Sequence, residues 1–115
     1  MRYSRGDDVL VLFPDSNLRT ANRRPALIIQ ADNLQTGLAH TIVAMITSNL
    51  TRLGHPSRVG ILKTTLAGTK SGLKSDSVVM TDDLATVLDN EIDRVIGSLG
   101  DLSSVETALR STLKL

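Results

Sequence analysis

Six apolar, β-favouring runs recur along the chain: VLVLF (9–13), ALII (26–29), TIVAMI (41–46), RVGIL (58–62), SVVM (77–80) and RVIGSL (94–99). Turn-forming stretches separate them, among them PDSN (14–17), DNLQTG (32–37), GHPS (54–57) and SGLKSD (71–76). Short strands with frequent turns and no long helical spacer predict a mainly β fold, an antiparallel sheet curled into a barrel. VLVLF, ALII and TIVAMI are apolar at successive positions, so both of their faces should be covered and they should lie centrally. From Leu102 the period changes. Leu102, Val105, Leu109 and Leu113 fall at helical spacing, and Ser103 with Glu106 three residues later matches a capping box. One amphipathic helix packed on the sheet is therefore expected at the C-terminus.

The 115 residues suffice for one modest core, so a single domain over 1–115 is expected. The absence of cysteine excludes a disulfide framework and thiolate metal sites, and suits a reducing cytoplasm. MRYSRGDD has no apolar core of a signal peptide, and no apolar stretch approaches the roughly 20 residues of a membrane span. Net charge is only +1, but it is unevenly distributed. Residues 1–74 carry ten Lys/Arg against four Asp (+6), and residues 75–115 carry three against eight Asp/Glu (−5). Such asymmetry favours a basic surface facing a polyanion.

Two stretches could carry chemistry. In ANRRPALIIQAD (21–32), Arg23 and Arg24 precede a proline and then a fully apolar strand. Proline suits a first strand position and forces Arg24 to be extended, so a rigid element aims this guanidinium. In VAMITSNL (43–50), an apolar strand ends abruptly in Thr47, Ser48 and Asn49. These side chains can satisfy frayed backbone groups or supply neutral donors to a phosphate. Other motifs are missing. His40 and His55 lack ligand-spaced partners, so no metal site and no cofactor is expected. One Phe and one Tyr exclude an aromatic platform for stacking bases. The neighbours Asp82 and Asp83 point to opposite faces if they lie on a strand, and read better as solvated turn residues than as metal ligands.

Taken in order, RGDDVLVLF, RRPALIIQ, VAMITSN, SGLKSDSVVMTDDLATV and the A-L-x-x-x-L terminal helix resemble the PemK/MazF family of bacterial toxin endoribonucleases over nearly the whole chain. The resemblance implies a small SH3-like β-barrel of the PemK/MazF/CcdB type with appended helices. It also implies a cytoplasmic, homodimeric, metal-independent enzyme that cuts single-stranded mRNA at short sequences. The expected partner is an antitoxin whose C-terminal segment covers the RNA groove. The family's catalytic arginine falls on Arg24 and its catalytic threonine on Thr47. Arg19, Asn22, Arg23, Ser48, Asn49 and Asp82 are the expected RNA-binding residues.

A guanidinium matches the oxygens of a phosphorane with paired donors and, with a pKa above 12, serves poorly as a proton acceptor. Arg24 is therefore expected to act by charge stabilisation, with the general base unassigned. The sequence also departs from the family. SNLRTAN (16–22) lacks the usual G-x-E-Q element and adds Arg19, and the usual DQ-x-RT reads Asp82-Asp83-Leu84-Ala85-Thr86, so that Ala85 replaces an arginine. Cleavage specificity should differ accordingly. The alternative is a non-catalytic toxin or binding module on the same fold, acting on a protein as the CcdB toxin does.

Overall fold

The computed structural model describes residues 3–14 and 21–115. Along the chain run β1 (Asp7–Pro14), β2 (Ala21–Ile28), β3 (His40–Thr47), β4 (Arg58–Ile61), helix α1 (Leu66–Ser71), β5 (Ser77–Leu88), a single 3-10 turn (Asp89–Glu91), β6 (Ile92–Ser98) and helix α2 (Ser103–Leu113). All six apolar runs are strands. They form one antiparallel sheet in the order β4-β5-β3-β2-β1-β6, so the ladder is open between β4 and β6.

Strand alternation divides the apolar residues between the two faces of this sheet. Val9, Val11, Ala26, Ile28, Val43 and Met45 form one buried cluster with Val87 and Ile92. Leu27, Ala44, Ile46, Ile61 and Val79 form a second with Leu99 and with Val105 of α2, flanked by Leu102 and Leu109. β2 and β3 thus feed both cores, which is why their sequences show no polar face, whereas β1 gives Val9 and Val11 to the first core alone and carries the buried Asp8 and the cleft-lining Leu10 on its other side. Each fully buried Val, Leu or Ile contributes about 1.5–3 kcal/mol relative to exposure, so the two clusters dominate stability.

Three local features differ from the expected pattern. β5 continues through TDDLATVL instead of stopping at Met80. Its pairing with β3 runs Thr47↔Val78 to Met45↔Met80, then resumes at Ala44↔Leu84. Three residues, Thr81 to Asp83, are extra on β5, and a bulge of this kind bends the strand. Asp82 and Asp83 therefore sit on a bent strand, not in a free turn. At the C-terminus the capping box does not form. Leu102 occupies the N-cap, while the Asp101 carboxylate accepts from the Ser103 N–H at 3.0 Å, which holds its pKa below the ordinary value. Glu106 turns instead to Arg5, 3.4 Å away. The third feature is α1, which at six residues with an internal glycine shows no readable period.

α1 is set by its ends. The Thr65 hydroxyl accepts from the Gly68 N–H at 3.1 Å, and Gly72 closes the helix in a left-handed conformation (φ 73°). Its C-terminal end lies directly on β6, where a Cβ on Gly97 would stand 2.4 Å from the backbone oxygens of Lys70 and Ser71. Gly97→Ala is therefore expected to destabilise the fold by about 1–3 kcal/mol, the usual range for overpacking. Urea denaturation reads this directly; an unchanged midpoint would mean that α1 does not rest on β6.

Candidate active site

The end of β2 is shaped by Pro25. It pairs with Leu10 of β1, while the β2–β3 ladder begins only at Ala26↔Met45 and continues through Ile28↔Val43. Having no N–H, proline cannot extend that ladder. The two strands therefore part where the register, carried on by two residues from Ala26↔Met45, sets Arg24 across from Thr47. Both side chains line the same two cavities: a cleft of about 890 Å³ and an adjoining recess of about 290 Å³.

Among the described residues the cleft walls carry four cations, Arg23, Arg24, Lys74 and Arg94, and no acidic residue. Neutral donors come from Thr47, Ser48 and Ser75, while the Ser77 hydroxyl donates to the Ser75 carbonyl at 2.9 Å, and the apolar floor comes from Leu10, Pro25, Ile46 and Ile96. The wall opposite β2 is the α1–β5 turn, pinned by the Asp76 carboxylate accepting from the Lys63 N–H (2.7 Å) and by Lys63 Nζ donating to the Lys74 carbonyl (2.8 Å). Cations converging on a concave surface focus a positive field suited to a phosphodiester chain.

Arg24 is exposed and has no hydrogen-bond or ion-pair partner among the described residues. Its fork is open to a ligand. The Thr47 oxygen accepts from the Asn49 N–H at 3.1 Å, an arrangement that leaves the hydroxyl proton available for donation into the cleft. Arg23 reaches the cleft as well, but its Nε lies 2.9 Å from Asp93, which also lies 4.0 Å from Arg94. An exposed ion pair of this kind is worth only about 0–1 kcal/mol, so a phosphate can displace the carboxylate.

The other expected RNA-binding residues are distributed differently. Ser48 lines the cleft. Asn49 does not; its side-chain oxygen accepts from the backbone N–H and hydroxyl of Thr51 at 3.0 and 2.6 Å. Asn22 is exposed on β2 and lines neither cavity, and Arg19 falls outside the described residues. Asp82 lies away from both cavities. Arg58 Nη2 donates to it at 3.1 Å, with Nε 2.8 Å from the second carboxylate oxygen but poorly aimed at it. That hydrogen bond from Arg58 holds the Asp82 carboxyl below its ordinary range. Its neighbour Asp83, on the opposite face of the bulge, lines the recess with Arg24 and Thr47. Lys74, Ser75 and Arg94 were not legible as site residues, because their only sequence signal was membership of turn and strand segments, and Asp83 was read as a solvated turn residue.

No group of three or more His, Cys, Asp or Glu able to hold a metal occurs among the described residues. No helix among them is long and apolar enough to cross a membrane. A curled antiparallel sheet with an arginine and a threonine facing across a cationic cleft defines a small β protein equipped to grip a polyanion. The chain belongs to the PemK-like, MazF-like toxin family of type II toxin–antitoxin systems, whose family model matches residues 4–113. It is 35% identical over 109 residues to the endoribonuclease MazF6 of Mycobacterium tuberculosis and equally to MazF2 of Mycobacterium bovis, covering 90% of each chain. Its fold is similar to a MazE–MazF structure from Deinococcus radiodurans (TM-score 0.76, 20% identity, 100% of this chain and 99% of that one). It is also similar to the Mycobacterium tuberculosis toxin MazF-mt6 (0.74, 22%, 95% and 97%) and to a mycobacterial endoribonuclease in complex with its cognate antitoxin (0.74, 19%, 98% and 96%).

Proposed function

We propose that this chain is an endoribonuclease toxin that cuts single-stranded mRNA without a metal ion, with Arg24 and Thr47 as its catalytic residues. The ribose 2′-hydroxyl gives up its proton as its oxygen attacks the adjacent phosphorus, and the P–O5′ bond breaks as the leaving 5′ oxygen takes up a proton. The products are a 2′,3′-cyclic phosphate and a 5′-hydroxyl. Charge builds on the equatorial oxygens during attack. Arg24 meets them with two parallel donors, Thr47 and Ser48 add neutral ones, and the remaining cations hold the flanking phosphates. The observation that carries this reading is that the Arg24 fork, without a partner among the described residues, lines with Thr47 a cleft in which none of the described lining residues is acidic.

The cytoplasm, where mRNA is found, is the compartment this reading requires, and residues 1–115 act as one toxin domain. A cognate antitoxin neutralises the protein by occupying the cleft. Incubation of the purified protein with a long single-stranded RNA in EDTA tests the reading on a gel. Defined fragments support it, and intact RNA returns the non-catalytic alternative that acts on a protein target.

The toxin assembles as a homodimer. Ten large apolar side chains are more than a third exposed among the described residues, including Leu38, Leu66 and Leu88, and the sheet has two open edges. A stable interface buries more than about 1,200 Å² in total. Light scattering at micromolar concentration should give twice the 12.4 kDa chain mass; a monomer would count against the dimer.

A further inference from the structure

We propose that Asp83 reads the base of the nucleotide whose phosphate Arg24 and Thr47 hold, and that it selects guanine. The inference rests on the phosphate-binding role proposed for that pair. It starts from the recess of about 290 Å³ that opens off the main cleft and shares Arg24 and Thr47 with it. Besides these two residues, the recess is lined by the apolar Met45, Ile46, Met80 and Ala85 and by one carboxylate among the described residues, Asp83. Met45 and Met80 are direct cross-strand partners, so two thioethers lie side by side. Such polarizable, adaptable side chains suit the flat face of a base where an aromatic platform is lacking. A cation with a hydroxyl, a soft apolar surface and a carboxylate around one recess match the phosphate, the base face and the base edge of a nucleotide.

The bulge puts the carboxylate there. Three extra residues on β5 separate the Met45↔Met80 and Ala44↔Leu84 pairs, and the two acids within them are divided between environments. Asp82 is held by Arg58. Asp83 is exposed, with no hydrogen bond or ion pair among the described residues, and it makes no ion pair with Arg24 although both line the recess. A carboxylate and a guanidinium kept apart across a small recess leave room for a ligand between them.

An ionised carboxylate only accepts hydrogen bonds. Single-stranded RNA is read through base edges, and the Watson–Crick edge of guanine places two donors, N1–H and the N2 amino group, side by side for the two carboxylate oxygens. Adenine and cytosine offer one amino donor beside a ring-nitrogen acceptor, which repels the second oxygen. Uracil offers one N–H between two carbonyls. Asp83 therefore ranks guanine first and uracil last.

Cleavage of a randomised single-stranded RNA pool, with sequencing of the cut ends, tests this for the full-length protein, Asp83→Asn and Asp83→Ala. The full-length protein should enrich guanine at one fixed position beside the cut. An asparagine amide presents one donor and one acceptor, which match adenine or cytosine. In Asp83→Asn, cutting at guanine sites should thus fall about ten-fold or more relative to adenine and cytosine sites, the discrimination carried by one good bidentate pair. Asp83→Ala should flatten the preference at that position alone. Unchanged base preferences in both variants would overturn the inference. So would loss of all cutting by correctly folded Asp83→Asn, which would make Asp83 part of the chemistry instead of a reader. Arg24→Ala, run alongside, separates the two levels, since a variant that cuts like the parent sinks the phosphate assignment itself.

Discussion

Replacing Arg24 by alanine is expected to lower single-stranded RNA cleavage about 10²–10³-fold while leaving the fold intact. Removal of one preorganised donor from a developing oxyanion commonly has this effect. The fold should survive because Arg24 is exposed and has no partner among the described residues. Arg24→Lys should also fail, because a single ammonium cannot supply two parallel donors to a phosphorane. Thr47→Ala should fall by a similar factor, whereas Thr47→Ser keeps the hydroxyl and should retain most activity. Single-turnover rates on a defined RNA, with circular dichroism as the fold control, decide the matter. Near-parental cleavage by both alanine variants would remove the pair from the mechanism.

Asp8 is the source of the second large effect, on stability. It follows Gly6 and Asp7 into β1, pairs across to Leu27 and Gly97, and is fully buried. Neither carboxylate oxygen has a hydrogen-bond partner among the described residues. Burial, with a smaller contribution from the neighbouring charge of Asp7, pushes its pKa up from 3.8 to about 7. The folded chain therefore binds a proton that the unfolded chain has released. This group's favourable contribution is complete below about pH 4, declines through the interval to pH 7, and is gone above it. A rise of about three units corresponds to about 4 kcal/mol by the top of that window.

Asp8→Val should therefore stabilise the protein, more at pH 8 than at pH 5, since the neutral acid at low pH is far less costly to bury. With about 4–8 °C per kcal/mol for a domain of this size, the thermal midpoint at pH 8 should rise by roughly 10 °C or more. Comparing parent and variant at the two pH values cancels the titration of every other group. An equal difference at both would show that Asp8 does not titrate in this range.

Much of the fold was legible because burial leaves a local mark. ALII and TIVAMI read as central strands covered on both sides, and the structure supplies a core on each of their faces, whereas VLVLF meets a core on one face only and lines the cleft with Leu10 on the other. Leu102, Val105, Leu109 and Leu113 announce α2 through a period that no strand can satisfy. Arg24 and Thr47 stood out because each polar side chain directly borders an apolar strand, where it is held by a rigid element.

Tertiary structure alone decided the features that depend on residues far apart in the chain. Asp82 and Asp83 looked like solvated turn residues, since two adjacent acids give no local reason to be a strand; pairing of β5 with β3 on either side of them makes them part of one, with a bulge. Alternation separated Asp82 from Asp83, but only the fold could assign Arg58 to one and the recess to the other. Asp8 looked like one more polar residue at a chain start until β6 and the second core closed over it. Lys74 and Arg94 became walls of one cleft only when α1 came to rest on Gly97. The sequence by itself determined which segments seek burial and which two polar stretches, Arg23-Arg24 and Thr47-Ser48-Asn49, border them, because solvation acts on each residue where it stands; the choice of Arg24 and Thr47 within them came from the family resemblance. Which charges meet, and which acid is deprived of water, depends on contacts between distant segments, and these exist only in the folded chain.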